Sequence, residues 1–194
     1  MSINKKLQGE ISMMVKKDQT LRKRQHKIWI NLNKEGQDRD SPHYKKTISA
    51  LSRELKAVDR ENTVAMKKII KKYGWPGKSL VGSKGASQAW LLVQHADHDL
   101  NFQLKCLELL KKAAKSEEID KKNLAFLTDR VLVHQKKKQI YGTQFKSLKT
   151  KTGLTLKPFP IKSPQKLDQL RKSVGLGSFV AYKKIMGDSL GIPH

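Results

Sequence analysis

Apolar residues recur at helical spacing through the first third of the chain, where two long helices are predicted. The first spans residues 2–35, and the second runs from about Pro42 to Tyr73. Ser41 and Pro42 are typical of a helix start, because proline suits the first helical turn. Glycine, aspartate and proline separate the two segments, so we expect an antiparallel pair of helices. The repeated apolar positions of the first segment are Ile11, Met14, Val15, Leu21, Ile28 and Leu32.

The remaining pattern predicts a mainly α protein with one small β-hairpin near residues 139–158. About five helices are expected in a single domain. Residues 1–40 form an N-terminal helix and a break, which pack as one unit with a helical domain over 41–194. The elements after the second helix are a glycine-rich loop to Gly85, helices over 86–114 and 121–135, a strand over 138–145 paired with 154–158, a helix over 163–173 and a short helical segment over 179–186.

Charge adds one candidate class of partner. The chain has 41 basic and 17 acidic residues, a net charge of +24, and 34 of the basic residues are lysine. Lysine attracts phosphate as a point charge, whereas bidentate recognition of phosphate and bases favours arginine. The lysines are spread over the whole chain, and they are not interleaved with aromatic residues. The expectation is weak, nonspecific binding of nucleic acid that decreases steeply as salt rises.

Several other classes are excluded at this level. Cys106 is the one cysteine, which rules out an internal disulfide and a cysteine-based zinc site. It lies on the apolar side of its predicted helix and is expected to be packed rather than reactive. No apolar run is long enough to span a membrane, and the first residues lack the apolar core of a signal peptide. We therefore expect a cytoplasmic protein with no membrane partner.

Polar residues inside the third predicted helix are the most informative feature. Leucine and alanine occupy one of its faces, and Leu91 and Phe102 lie on roughly the opposite face, so Gln94, His95 and Asp97 are expected to be partly buried. His95 is the candidate general base, because imidazole titrates near neutral pH. No metal-binding motif accompanies the histidines, so no metal site is predicted.

The next two elements repeat this conflict between polar residues and apolar surroundings. Asp129 and Arg130 lie among apolar residues of the fourth helix, where unpaired charges are costly. The segment Gln139-Ile140-Tyr141-Gly142-Thr143-Gln144 follows. Read as a strand, it places Gln139, Tyr141 and Thr143 on one face. Two interpretations stay open, namely a cleft for a polar ligand and a buried network that fixes packing.

Under the first interpretation these residues form one site. The candidate catalytic residues are His95, Asp97, Asp129 and Tyr141. The candidate ligand-binding residues are Gln94, Arg130, Gln139, Gln144 and Arg171. The ligand would be a small polar molecule or a peptide, and the sequence identifies no cofactor and no reaction.

The same motifs carry a resemblance. The matching segments are DQTLR at 18–22, DREN at 59–62, YGWPG at 73–77, AWLLVQHAD at 89–97, LAFLTDRV at 124–131, QIYGTQ at 139–144 and LDQLRKSVGL at 167–176. With them, the chain resembles a bacterial domain family of unknown function that occurs in actinobacterial stand-alone proteins and in Bacteroidetes proteins. The resemblance implies no activity. It implies that Asp18, Arg22, Asp59 and Asn62 belong to the polar site and that the lysine excess is not a family trait.

Three functions therefore remain open from sequence. The first is a domain that binds or transforms a small polar ligand or peptide in a cleft built from the QHAD, DR and QxYGTQ motifs, and whether it is an enzyme is undecided. The second is a lysine-rich protein that binds nucleic acid. The third is a non-catalytic interaction or immunity-type domain, whose polar motifs only fix its packing.

Overall fold

The structure is a computed structural model that describes residues 2–34, 41–150 and 153–189. The chain divides into two compact units, Met1–His98 and Asp99–His194. Seven α-helices and one short 3-10 helix lie in the described residues, against about five predicted helices. The mainly helical class and the single antiparallel hairpin are confirmed for this part of the chain. The predicted division into residues 1–40 and 41–194 stays a prediction.

The first unit consists of three helices that pack against one another: α1 (Lys5–Lys34), α2 (Pro42–Tyr73) and α3 (Lys78–Gln94). Ion pairs show that α1 and α2 run antiparallel, since successive residues of α1 meet progressively earlier residues of α2. These pairs are Lys17–Glu61, Arg22–Asp59 and Arg24–Glu54. The apolar stripes that predicted both helices form the core, and Ile11 and Met66 are completely buried.

Gly82 explains why the start of α3 was missed in the sequence. The prediction ran a loop to Gly85, but the helix begins at Lys78 and bends at Gly82, whose φ of +71° suits glycine. At the bend, the carbonyl of Val81 accepts a hydrogen bond from Gln8 Nε2 at 2.8 Å. A side chain from α1 thus satisfies a backbone group at the bend, a contact that local sequence does not reveal.

The second unit contains four helices and the hairpin. The helices are α4 (Leu100–Lys115), α5 (Lys121–His134), α6 (Leu167–Ser173), which follows the 3-10 turn Pro164–Lys166, and α7 (Phe179–Ser189). Strands β1 (Phe145–Thr150) and β2 (Gly153–Pro158) pair antiparallel, with Phe145 opposite Pro158 and Thr150 opposite Gly153. Helix α4 packs on α5, and α7 packs on β2 and α6. Cys106 is completely buried in α4, as its apolar position predicted.

The predicted helix over 86–114 is wrong, because two helices occupy that segment. Helix α3 ends at Gln94, and the next residue, His95, does not continue it, with a φ of −90° and a ψ of 0°. Helix α4 begins after Asp99, whose carboxylate accepts a hydrogen bond from the Phe102 amide at 2.9 Å. Aspartate is a favoured residue at a helix start, so Asp99 was the available signal for the break. The helical phase predicted across 95–99 does not apply.

The predicted strand over 138–145 is also wrong in position. Strand β1 begins only at Phe145, and residues 139–144 form a loop whose one ladder contact is a parallel bridge between Gln139 and Ile161. The amides of Ile140, Tyr141 and Thr143 bond to the side chain of Asp129 rather than to a neighbouring strand. The predicted turn at residues 152–153 lies partly outside the described residues.

Within the described residues, no helix combines the length and the apolar character needed to cross a membrane.

Candidate functional site

A buried carboxylate, Asp18, is the centre of the polar site in the first unit. Asp18 lies on α1 seven residues after Ile11 and three after Val15, so it continues the apolar stripe that faces the other helices. Its side chain is completely inaccessible to solvent. A carboxylate in such a position requires charged or hydrogen-bonding partners.

Arg22 joins Asp18 to α2. Its Nε donates to Asp18 Oδ1 at 3.0 Å, and a terminal nitrogen of the same guanidinium donates to Asp59 Oδ1. Gln19 Nε2 donates to the other oxygen of Asp18 at 2.7 Å. The Arg22 side chain is 30% exposed, whereas the Asp59 side chain is 15% exposed. One arginine therefore bridges two carboxylates on adjacent helices.

His95 completes the cluster from the end of α3. Its Nδ1 lies 3.1 Å from each oxygen of the Asp18 carboxylate, and its side chain is 15% exposed. His95 directly follows the last helical residue, Gln94, so it lies at the C-terminal end of α3. No described residue forms a hydrogen bond with the other ring nitrogen, Nε2.

The pKa values of the two carboxyl groups move in opposite directions. Burial alone would raise the pKa of Asp18, but the hydrogen bond and charge of His95, with Arg22 and Gln19, outweigh burial and lower it. For Asp59 burial dominates and raises the pKa, although Arg22 opposes the change. Asp18 is therefore held ionised, and Asp59 is the carboxyl group that gains a proton more readily.

The cluster has the residue types of a metal site. Oxygen atoms of Asp18 and Asp59 and a ring nitrogen of His95 lie within 4.8 Å of one another. Zn²⁺ and other first-row divalent ions accept such ligands. In this arrangement, however, the Arg22 guanidinium already bonds to both carboxylates, and His95 Nδ1 is directed at Asp18. A cation would have to displace the guanidinium, so the geometry favours an arginine-bridged site.

Asn62 lies next to this cluster on α2. It follows Asp59 by three residues, a spacing that places two side chains on the same helix face. Asn62 is 5% exposed, and its Nδ2 is buried without an acceptor among the described residues. Buried amide groups are normally hydrogen-bonded, so this donor is an exception beside the cluster.

The second group of predicted residues lies in the second unit and centres on Asp129. This carboxylate is completely buried and accepts hydrogen bonds from three backbone amides, those of Ile140, Tyr141 and Thr143, at 2.7–3.1 Å. The Thr143 hydroxyl donates a further one at 3.0 Å. Asp129 thus organises the 139–144 loop, and this explains why the segment does not form a strand.

Gln139 and Gln144 close the same loop. Gln139 Nε2 donates to the carbonyls of Gln144 and Phe159, and its Oε1 accepts from the Gln144 amide. Gln144 Nε2 donates to the Thr143 hydroxyl oxygen at 3.0 Å. Gln139 is completely buried, and both of its side-chain polar atoms are used. Its geometry supports the packing interpretation that the sequence left open.

Arg171 fastens the C-terminal segment to this loop. It is 1% exposed and donates to the carbonyls of Tyr141 and Gly177, both at 2.7 Å. Burial lowers its pKa, although nearby Tyr182 and acidic groups oppose the change. Its guanidinium lies 4.9 Å from the centre of the Tyr182 ring. The loop also needs Gly142, because a Cβ there would lie 2.9 Å from the Phe179 ring.

The structure therefore sorts the predicted residues into two groups, one in each unit. In the first unit Gln94 is buried near the end of α3, and Asp97 is exposed just after it. In the second, Arg130 is half-buried, and the pKa of half-buried Tyr141 is raised by burial and by the charge of Asp129. The catalytic and ligand-binding roles assigned from sequence, including a cavity shared by His95 and Asp129, stay predictions.

Reasoning from residue patterns missed the partners of His95. Asp18, Arg22 and Asp59 entered the prediction through the family resemblance alone. A signal was available, because Asp18 interrupts the apolar stripe of α1, and Asn62 interrupts that of α2 between Leu55 and Met66. A polar residue on an apolar stripe marks a buried polar group that needs a partner. Gln19 carried no such signal.

The fold and the site define a mainly helical protein with an Arg-bridged pair of carboxylates and a histidine at the end of a helix. The model of the family of unknown function DUF6624 matches residues 5–193, so the chain belongs to this family. The match confirms the resemblance to a family of unknown function over nearly the whole chain. A search of curated proteins found no match, and a search of solved structures found none either.

Proposed function

We propose that this chain is an enzyme that transfers a proton on a small polar substrate and that its active centre is the Asp18–Arg22–Asp59–His95 cluster. The observation that supports the proposal is the placement of His95 Nδ1 at 3.1 Å from both oxygens of a completely buried carboxylate. An aspartate that holds one ring nitrogen leaves the other nitrogen to act on a substrate.

The protonation state of His95 follows from its partner. Asp18 is ionised, because its pKa is lowered, and an ionised carboxylate only accepts hydrogen bonds. Nδ1 must therefore carry the proton of the neutral imidazole, and Nε2 holds a lone pair. In this tautomer Nε2 accepts a proton from a substrate or a bound water, and Asp18 stabilises the imidazolium that forms.

Asp59 is a second carboxyl group next to Asp18. Its pKa is raised while that of Asp18 is lowered, and Arg22 connects the two. Paired carboxyl groups with pKa values moved apart take different roles in acid–base catalysis. We assign Asp18 to orienting His95 and Asp59 to exchanging a proton with the substrate.

The first test is the tautomer, which needs no substrate. The ¹⁵N chemical shifts of His95 at neutral pH should show a protonated Nδ1 and an unprotonated Nε2, and Asp18→Asn should shift this preference. His98 is the matched control, since it is exposed and lies three residues further on. An Nε2-protonated ring in the wild type would contradict the proposal.

The second test uses substitution and ligand screening. We expect His95→Ala to remove the thermal shift or turnover found with a compound from a metabolite library, while its own Tm stays within a few degrees. His98→Ala should leave both unchanged. A ligand response that survives His95→Ala, or a fold that collapses on that substitution, would return His95 to a purely structural role.

A further inference from the structure

We infer that the proposed site recognises an uncharged group that both donates and accepts hydrogen bonds, a hydroxyl or an amide, and that it disfavours phosphate and other anions. The inference rests on the proposed function, because it concerns the same cluster. The ligand preference of the site would differ from that of the chain as a whole, whose net charge of +24 attracts anions.

The cluster has an excess of negative charge. Two carboxylates, Asp18 and Asp59, share the single guanidinium of Arg22, so the cluster has a formal charge of −1 when His95 is neutral. All four side chains are at least 70% buried, where charges are screened less than at the surface. An entering anion would meet this excess of negative charge at short range.

Two hydrogen-bond acceptors of the cluster have no partner among the described residues. Asp59 Oδ1 accepts from Arg22, and no described residue donates to its other oxygen. His95 Nε2 likewise has no partner among the described residues. The ionised oxygens of a phosphate only accept hydrogen bonds and suit neither atom, whereas the proton of an uncharged hydroxyl or amide fits either one.

A hydrogen-bond donor beside the cluster also lacks a partner among the described residues. Asn62 Nδ2 is buried and has no acceptor in the described part of the chain. An unsatisfied buried donor is unfavourable, and an oxygen of the ligand would satisfy it. Asn62 and Asp59 are neighbours on one helix face, so they offer a donor beside an acceptor. Hydroxyl and amide groups present the complementary pair.

The experiment follows the His95 ring signals by NMR while one of three probes is added at constant pH and ionic strength. The probes are acetamide for an amide, glycerol for a hydroxyl and inorganic phosphate for an anion. We expect acetamide or glycerol to shift the His95 signals by an amount that levels off as the probe concentration rises. Phosphate should leave the signals unchanged. The exposed ring of His98 is the internal control.

Asn62→Leu is the accompanying variant. It removes the donor and keeps the branched shape of the side chain, so we expect about tenfold weaker binding of the responding probe, which corresponds to the loss of one hydrogen bond. The Tm of the variant should be equal or higher, since an unsatisfied buried amide is removed. Asn101→Leu, at an exposed position of α4, should change neither quantity.

Several results would overturn the inference. These are saturable binding of phosphate at His95, a response to none of the three probes, and unchanged probe affinity in Asn62→Leu. Displacement of Arg22 by added Zn²⁺ with loss of the His95 Nδ1 proton would also overturn it, since the site would then be a metal centre. Failure of the proposed function would be recognised by other measurements, because the His95 tautomer and the His95→Ala phenotype test that function without these probes.

Discussion

Replacing Asp129 by alanine should destabilise the second unit by about 3–5 kcal/mol, the largest effect that we expect from one substitution. The buried carboxylate accepts hydrogen bonds from three backbone amides and one hydroxyl of the 139–144 loop. Alanine would leave all four donors without their acceptor in a region closed to water. Urea unfolding followed by circular dichroism measures the change in the free energy of unfolding.

Thr143→Val is the graded control for this prediction. It removes one of the four donors to Asp129 and the acceptor of Gln144 Nε2 but keeps the shape of the side chain, so a loss of about 1–2 kcal/mol is expected. A stable Asp129→Ala protein that has lost its activity would contradict the structural role. That outcome would favour the catalytic role that the sequence suggested for Asp129.

Replacing Asp18 by asparagine should have the second largest effect, about 2–3 kcal/mol at neutral pH. Asparagine loses the ion pair with Arg22 and the hydrogen bond from His95 to an ionised acceptor, although Arg22 keeps Asp59 as a partner. The pKa of Asp18 is lower in the folded state than its ordinary value of 3.8. Its contribution to stability is therefore complete above that value and is lost as pH falls through the folded-state pKa.

The pH dependence of the free energy of unfolding tests the role of Asp18 more directly than its value at one pH. The difference in the free energy of unfolding between wild type and Asp18→Asn should shrink as pH falls below 3.8. Asp59→Asn is the matched control with the opposite sign, because the pKa of Asp59 is raised in the folded state. Relative to that variant, the wild type should lose stability as pH rises from 3.8 through the folded-state pKa. Parallel pH profiles for the two variants would contradict both assignments.

The sequence alone determined the helical class and the elements that rest on long, regular patterns. Helices α1, α2 and α5 lie within a few residues of their predicted bounds, because apolar residues at intervals of three or four must be buried on one face. The same reasoning identified Asp129 and Arg130 as polar residues in apolar surroundings. It also singled out His95, since few side chains titrate near neutral pH.

The break between α3 and α4 has a local cause, the hydrogen bond from the Phe102 amide to the Asp99 carboxylate, but the helical period of the flanking residues obscured it. Other features were decided by tertiary contacts. The 139–144 loop has the composition of a strand, but the Asp129 carboxylate from α5 takes its amides. A distant acceptor overrides local propensity, because strand preference is worth at most about 1 kcal/mol per residue.

The partners of His95 were decided by tertiary structure in the same way. Asp18 and Asp59 lie 77 and 36 positions before it, and only the packing of α1, α2 and α3 brings them to the end of α3. The residue types that require burial and pairing can be read from the sequence, because burial follows the periodicity of each helix. Which of them meet depends on how the helices pack, and no single segment contains that information.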